Sequence, residues 1–447
     1  MSRFGRQILA GALVAGLLPG GAAAQLLPRV SLPSVSVPVP MPTANVPVVG
    51  PVLQNVLQDP QVQQQVVSGG LNSVGGLPSI VASAGAPTLL ELRKLRLLEL
   101  VRSNRKELET DPSGQPVRRG ILVSVDPDPL SLQLAVRAGF AIVADDTDRD
   151  LGMRLVQLAV PRGMSAREGL KRLRSTAPRL QCEYDHIYEP AGGALLPVQA
   201  ALASSAGIAR GRVVGMIDGG VASHPSLAGA SIEQSGFAGN PQPTGHGTAV
   251  ASLLVGNQGP FLGAATGSQV YVADVYGGNR AAGSASAIVK AMGWLAGHHP
   301  QVINISLVGP PNSAVQRAVQ IVQARGIEVV AAVGNDGPAA PPQYPASYPG
   351  VIAVTGVDAG GRALPEAGRA AHIDFAAPGA DMAAALPGNG YARVRGTSFA
   401  SPLAAARLLL AGSPARLAEE ARPGKGKVGR GIVCGDCRVD PKVVRAK

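Results

Sequence analysis

The chain has 447 residues, of which 46% are hydrophobic and 15% charged, a balance that supplies at least one large core and excludes a mostly disordered protein. Its 40 Lys+Arg against 29 Asp+Glu leave a net charge of +11. The basic residues are scattered except at 420–430 and 440–447 and carry no interleaved aromatics, which argues against a nucleic-acid partner.

Arg3 and Arg6 precede an apolar run, Ile8 to Leu18, and the small residues Gly20-Gly21-Ala22-Ala23-Ala24. This pattern predicts a signal peptide, residues 1–24, cut after Ala24 and too short to serve as a membrane anchor. No later segment reaches spanning length without a charge or several glycines. A secreted or periplasmic location is therefore expected. Residues 25–86 are rich in Pro, Val, Gln and Gly and read as a flexible spacer. Residues 87–119 read as a helical linker, with a helix over Leu89 to Leu108.

Between 120 and 190 short apolar strands alternate with helices. Strands are predicted at Ile121–Val125, Ala141–Ala144, Leu155–Val160 and Leu180–Tyr188. Helices are predicted from Pro129 to Ala138 and from Ser165 onward, where Ser165 and Glu168 form a capping-box signature. The order fits a small α+β domain of the ferredoxin-like kind; the sequence alone does not exclude an adaptor or dimerisation module. Residues 191–206 read as a linker or processing region.

From 207 to the end, apolar β-branched runs (Val213–Ile217, Val270–Val275, Val302–Ser306, Ile327–Val333, Val351–Val357) alternate with helical stretches. Those helices are His246–Val255, Ser284–Ala296, Ser313–Ala324 and Ser398–Ala411. Near-continuous apolar strands imply burial on both faces, hence an α/β fold with a mostly parallel sheet flanked by helices. Functional residues in such sheets gather beyond the carboxyl ends of the strands.

Ser398 lies in Gly396-Thr397-Ser398-Phe399-Ala400-Ser401-Pro402, at the start of a buried helix whose N-terminal N–H groups favour a developing anion. Pro402 is expected in the first turn, where no N–H is needed. Asp218 ends a buried strand beside Gly219 and Gly220, placed to orient a partner. His246 opens a helix between Gly245 and Gly247. Asn335 follows a strand and suits either a turn or an amide donor to an oxyanion.

These stretches (MIDGGV, GHGTAVA, NISL, AAVGNDG, GTSFASP) together resemble the subtilisin-like serine proteases, over roughly 210 to 411. The resemblance implies an endopeptidase in which Ser398 attacks, His246 moves the proton, Asp218 orients His246, and Asn335 stabilises the oxyanion. It also implies that the small domain is a propeptide, acting as intramolecular chaperone and inhibitor, with cleavage near Glu189 to Leu196. Polypeptides are the implied substrates. No cofactor and no metal are needed; relatives bind structural calcium, but no Asp-rich loop here points to it. The alternative is a catalytically silent, protease-like binding protein.

By the same likeness, Gly283 and Ser284, within the stretch Arg280 to Ala285, correspond to an edge strand that pairs with extended substrate. Ser306, Leu307, Val308, Gly309, Val333 and Gly334 line the specificity pocket. Val308 replaces the usual glycine and Val333 a smaller residue, so small apolar side chains are expected at the cleavage point. Of the three cysteines, Cys434 and Cys437 form a C-x-x-C, expected as a local disulfide in an exported chain, and Cys182 has no evident mate.

Overall fold

Residues 88–191, 195–196, 207–442 and 444 are described by the computed structural model, all within the second of two units, Pro60–Lys447. The expected leader and spacer lie outside the described residues, as does most of the 191–206 link.

The first described element, α1 (Leu89–Ser103), is opened by Thr88. The Thr88 hydroxyl accepts from the Glu91 amide while the Glu91 carboxylate accepts from the Thr88 N–H at 2.7 Å. Such a cap stabilises a helix by about 1 kcal/mol. The helix stops short of the expected Leu108 because Asn104 turns its amide back onto the Leu100 carbonyl, the competition with the backbone that makes Asn a poor helix interior.

The small domain then begins earlier than the Gly120 boundary expected from sequence. β1 (Leu108–Thr110) pairs with β2 (Pro116–Val125), followed by α2 (Pro129–Arg137), β3 (Ala141–Asp148), β4 (Met153–Ala159), α3 (Ala166–Thr176) and β5 (Cys182–His186). These form a five-stranded sheet in the order β1-β2-β4-β3, with β5 also on β2. One face packs Leu122, Val156 and Leu158 on Leu132, Leu170 and Leu173 of the helices. The other face presents Val123, Met153 and Leu155 to the large domain.

The large domain carries β7 (Val213–Asp218), after the short β6 (Glu189–Pro190) described below. It continues with β8 (Ser231–Gly236), α4 (Gly245–Val255), β9 (Gln269–Asp274), α5 (Ala285–Gly297), β10 (Val302–Ile305) and β11 (Leu307–Val308). Next come α6 (Ser313–Ala324), β12 (Glu328–Ala332), β13 (Ile352–Val357), β14 (Phe375–Pro378), α7 (Thr397–Ala411) and α8 (Pro414–Glu420). Seven of these strands form one parallel sheet, ordered β8-β9-β7-β10-β12-β13-β14. β7, where Asp218 ends, is thus an inner strand, and burial on both faces explains its apolar run. Helices α4 and α7 are apolar nearly all round, and most of their residues are buried, as expected of helices enclosed in a core. Two strands without a signal in the sequence, β8 and β14, form the sheet edges.

Two acidic residues of β5 tie the domains together. Glu183 accepts from the Ser313 and Ala314 amides at 3.0 and 2.9 Å, and Asp185 accepts from the Ser286 amide at 2.9 Å. Each carboxylate thereby caps the positive N-terminus of a large-domain helix, α6 and α5 respectively.

At the far edge, residues 430–433 run parallel to β14. The Ala376 amide donates to Gly431 O and the Val433 amide donates to Ala376 O. Beyond them Cys434 and Cys437 are joined as the expected disulfide. Among the described residues no helix is long and apolar enough to cross a membrane.

Candidate active site

The site lies beyond the carboxyl end of β7. Asp218 is fully buried and its Oδ1 accepts from the Gly219 amide at 2.7 Å. The same oxygen meets His246 Nδ1 at 2.8 Å. His246 is the second residue of α4, and its turn is set by Thr244, whose hydroxyl accepts from the Gly247 amide at 2.9 Å. A carboxylate can only accept, so Nδ1 is assigned the proton and Nε2 the free lone pair.

Ser398 is the second residue of α7, fully buried, and the Phe399 ring lies tilted with its centre 5.4 Å from that of His246. Among the described residues neither Ser398 Oγ nor His246 Nε2 has a hydrogen-bond partner. The expected contact between hydroxyl and imidazole is therefore not closed as a hydrogen bond, while that between imidazole and carboxylate is. Catalytic bonds of this kind are commonly long outside the reacting complex.

The sequence alone places Pro402 in the first helical turn. The structure begins α7 at Thr397, so Pro402 stands in the second turn, where its missing N–H deprives the Ser398 carbonyl of its helical donor. The Ser306 hydroxyl replaces it, donating to Ser398 O at 2.9 Å. Asn304 Nδ2 in turn donates to Ser306 Oγ at 3.0 Å, and the Ser401 hydroxyl donates to Asn304 Oδ1 at 2.7 Å. This fully buried chain fixes the backbone under the hydroxyl of Ser398. Asn304 and Ser401 lie in the NISL and GTSFASP stretches, but nothing in the sequence assigns them this role, although a proline six residues into a helix signals an orphaned carbonyl.

Asn335 is fixed from the same helix. Its Oδ1 accepts from the Thr397 amide at 2.9 Å, which turns Nδ2 outward to donate to the carbonyl of Ala191. Ala191 ends an extended segment, Ile187 to Ala191, lying between two backbone edges. The Tyr188 amide donates to Gly283 O at 2.7 Å, and Ile187 bridges Ser284. On the other side β6 pairs antiparallel with β11, and the Ala191 amide donates to Ser306 O at 2.8 Å.

The stretch Arg280 to Ala285, expected as a strand, begins instead as a helical turn, Arg280–Ala282. Only Gly283 and Ser284 make the pairing contact. A Cβ on Gly283 would overlap the Tyr276 ring and stand 2.7 Å from Tyr188 O, so glycine is required for this approach.

The Ala191 methyl clusters with Val308 and Ala332. Val333, expected in this pocket, lies with the core residues behind it, because its side chain alternates to the opposite face from Ala332. Gly334 closes the pocket beside Val308 and Gln343. Tyr188 is fully buried against Gly309, with its hydroxyl donating to Pro310 O at 2.9 Å. Burial pushes the Tyr188 phenol well above its ordinary pKa.

A buried carboxylate gripping an imidazole, a serine at a helix N-terminus and an amide donor aimed at a peptide carbonyl are the equipment of acyl transfer. The profile of the subtilase family matches residues 209–418. Subtilisin Savinase of Lederbergia lenta is 35% identical over 215 residues, 46% of this chain and 78% of that protein. Subtilisin DY of Bacillus licheniformis is 37% identical over 220 residues, 47% of this chain and 80% of that protein. Among solved structures, fervidolysin from Fervidobacterium pennivorans, a keratinolytic enzyme related to subtilisin, superposes with a TM-score of 0.62 at 19% identity. That match covers 74% of this chain and 62% of fervidolysin, and is a likeness of fold.

The chain belongs to the subtilase family. It is a serine-type endopeptidase, and its substrates are polypeptides.

Proposed function

We propose that the protein is an exported zymogen that cuts its own chain after Ala191 and then hydrolyses other polypeptides through Asp218, His246 and Ser398. The observation that carries this reading is the seating of Ala191. Its amide is held by Ser306 O and its carbonyl by Asn335, the grip that a scissile residue needs.

In the proposed reaction Ser398 Oγ bonds to the Ala191 carbonyl carbon while its proton passes to His246 Nε2. Asp218 holds the imidazole in the required tautomer and stabilises the imidazolium. Negative charge on the Ala191 oxygen is met by Asn335 Nδ2 and the Ser398 N–H. Collapse breaks the bond to Gly192, whose nitrogen leaves with the proton from His246. Water, deprotonated by the same imidazole, then releases Ala191 from the ester on Ser398.

The small domain is the inhibitor in this scheme, its C-terminal strand occupying the cleft as a product would. The pocket formed by Val308 and Ala332 suits small apolar side chains at the point of cleavage, and the Gly309 recess suits an aromatic one three residues earlier. Export rests on the leader-like residues 1–24 and agrees with the Cys434–Cys437 disulfide, a bond of oxidising compartments.

Mapping the N-terminus of the mature form tests the reading. Wild type should begin at Gly192, and Ser398→Ala should stay uncut. An uncut wild type, or a cut Ser398→Ala chain purified free of other proteases, would overturn it.

A further inference from the structure

Helix α1 precedes the small domain and packs on its Leu108, yet it also reaches across to the cleft. Tyr188 points into the enzyme and is fully buried, so Glu189, the next residue of an extended strand, points away from it toward solvent. The Glu189 side chain is nevertheless only 7% exposed. Arg96 of α1 closes over it, with Nε at 3.2 Å, and Arg280 approaches from the side at 3.6 Å.

The other nitrogens of this helix reach past the strand to the enzyme. Arg96 Nη2 donates to Asp336 Oδ1 at 3.0 Å, and Arg93 Nε donates to Asp336 Oδ2 at 3.0 Å. Both oxygens of Asp336, the residue after Asn335, are therefore taken by α1. Arg93 also donates to Gln115 Oε1 of the small domain at 3.0 Å. Arg93 is buried, as is Asp336.

Apolar contacts extend the same span. Leu89 lies on Gly337, where a Cβ would stand 2.9 Å from Leu89 Cδ1. On the opposite bank Leu100 and Val101 pack against Ala281 and against Ile187 of the seated strand. The helix thus crosses over the strand and is anchored on both walls of the cleft.

We propose that Leu89–Ser103 is a strap that keeps the severed strand seated after self-cleavage, so that peptidase activity waits on release of the strap and not on the cut itself. The proposal rests on the zymogen reading above. Severing the bond after Ala191 leaves Tyr188, Glu189 and Ala191 in place, and the strap adds a second hold that does not pass through the cleaved bond. Arg96 is its central pin, since one guanidinium pairs with Glu189 of the strand and with Asp336 of the enzyme.

The test uses the full chain. In wild type, cutting after Ala191, followed by mass, should precede activity on a chromogenic peptide by a measurable lag. Arg93→Gln/Arg96→Gln should be cut at the same bond and reach the same final activity per active site, with the lag shortened at least tenfold. In a Ser398→Ala background the double substitution should speed amide exchange of residues 89–103 at least tenfold while residues 153–159 stay protected. Arg96→Gln alone, a half-exposed side chain, is read in the same two ways if the double variant does not accumulate folded.

An unchanged lag beside faster exchange would overturn the strap, as would unchanged exchange, or a wild type active as soon as it is cut. A wild type not cut after Ala191 would instead defeat the zymogen reading.

Discussion

The Ser306 hydroxyl donates to the Ser398 carbonyl at 2.9 Å, the carbonyl that Pro402 leaves without a partner in the helix. One side chain on a neighbouring segment thereby completes the turn that presents the nucleophile. Ser306→Ala should leave that buried carbonyl unpaired, at a cost of about 1–3 kcal/mol, and loosen the turn. We expect kcat to fall about 10–100-fold with KM little changed. Pro402→Ala restores the N–H, so Ser306→Ala/Pro402→Ala should recover part of the lost kcat. Steady-state kinetics on a peptide substrate, with active sites titrated, reads both; additive losses in the double variant would refute the account.

Asn335 makes a different contribution, felt only where charge develops. Asn335→Ala should lower kcat by about 10²–10³-fold with a nearly constant KM, the loss known for removal of the corresponding amide from subtilisin itself. A rise in KM matching the fall in kcat/KM would mean that the amide merely binds the ground state.

The pocket around Ala191 sets how the chain cuts itself. Ala191→Phe overfills the space between Val308 and Ala332, and overpacking costs about 1–3 kcal/mol. Self-cleavage should slow about 10–100-fold, and Val308→Gly should restore it by making room. Mass measurement of the cut fraction over time decides the matter; no slowing would place the Ala191 methyl outside the pocket.

Burial, with a smaller contribution from Glu183, pushes the Cys182 thiol up to about 12 against the lowering influence of Ser124. At pH 8 the thiolate is then on the order of one part in 10⁴, and the thiolate is the reactive form. The folded full chain should resist iodoacetamide at pH 8, and unfolding in guanidinium should open Cys182 to rapid labelling. Equal labelling rates in both states would contradict the burial.

Asp111 gives a pH prediction. Burial alone would raise its pKa, but hydrogen bonds from His186, Gln115 and Ser113 outweigh this and hold it below the ordinary value. A carboxyl lowered in the folded state contributes stability that is present at neutral pH and fades as pH falls through the lowered value. Asp111→Asn should therefore reduce the acid dependence of thermal stability below about pH 4, where carboxylates titrate. An identical slope of Tm against pH in both chains would show that Asp111 is not among the groups responsible.

Much of the sheet was legible because five of its strands are apolar on both faces, and those runs appear directly in the sequence. β8, Ser-Ile-Glu-Gln-Ser-Gly, and β14, Phe-Ala-Ala-Pro, are the edges. A polar or proline-ended stretch carries no such periodicity, so neither was visible. Asp218, His246, Asn335 and Ser398 stood out because each sits in a glycine-rich context matching a family pattern. The partners of Arg93 did not, because Asp336 lies 243 residues away and nothing local to α1 signals it. The role of Ser306 was hidden by a misplacement of one helical turn at Pro402.

The segment that lies along β14 has a consequence for handling the protein. A terminal strand of a sheet offers a row of unpaired donors and acceptors that a second molecule can adopt. Here Gly431 and Val433 occupy that row at Ala376, and the Cys434–Cys437 link closes a tight local loop just beyond it. Shortening the chain to residue 420 would keep Asp218, His246 and Ser398 in the chain yet bare that row and the core face beneath Val433, and should yield a preparation prone to clump.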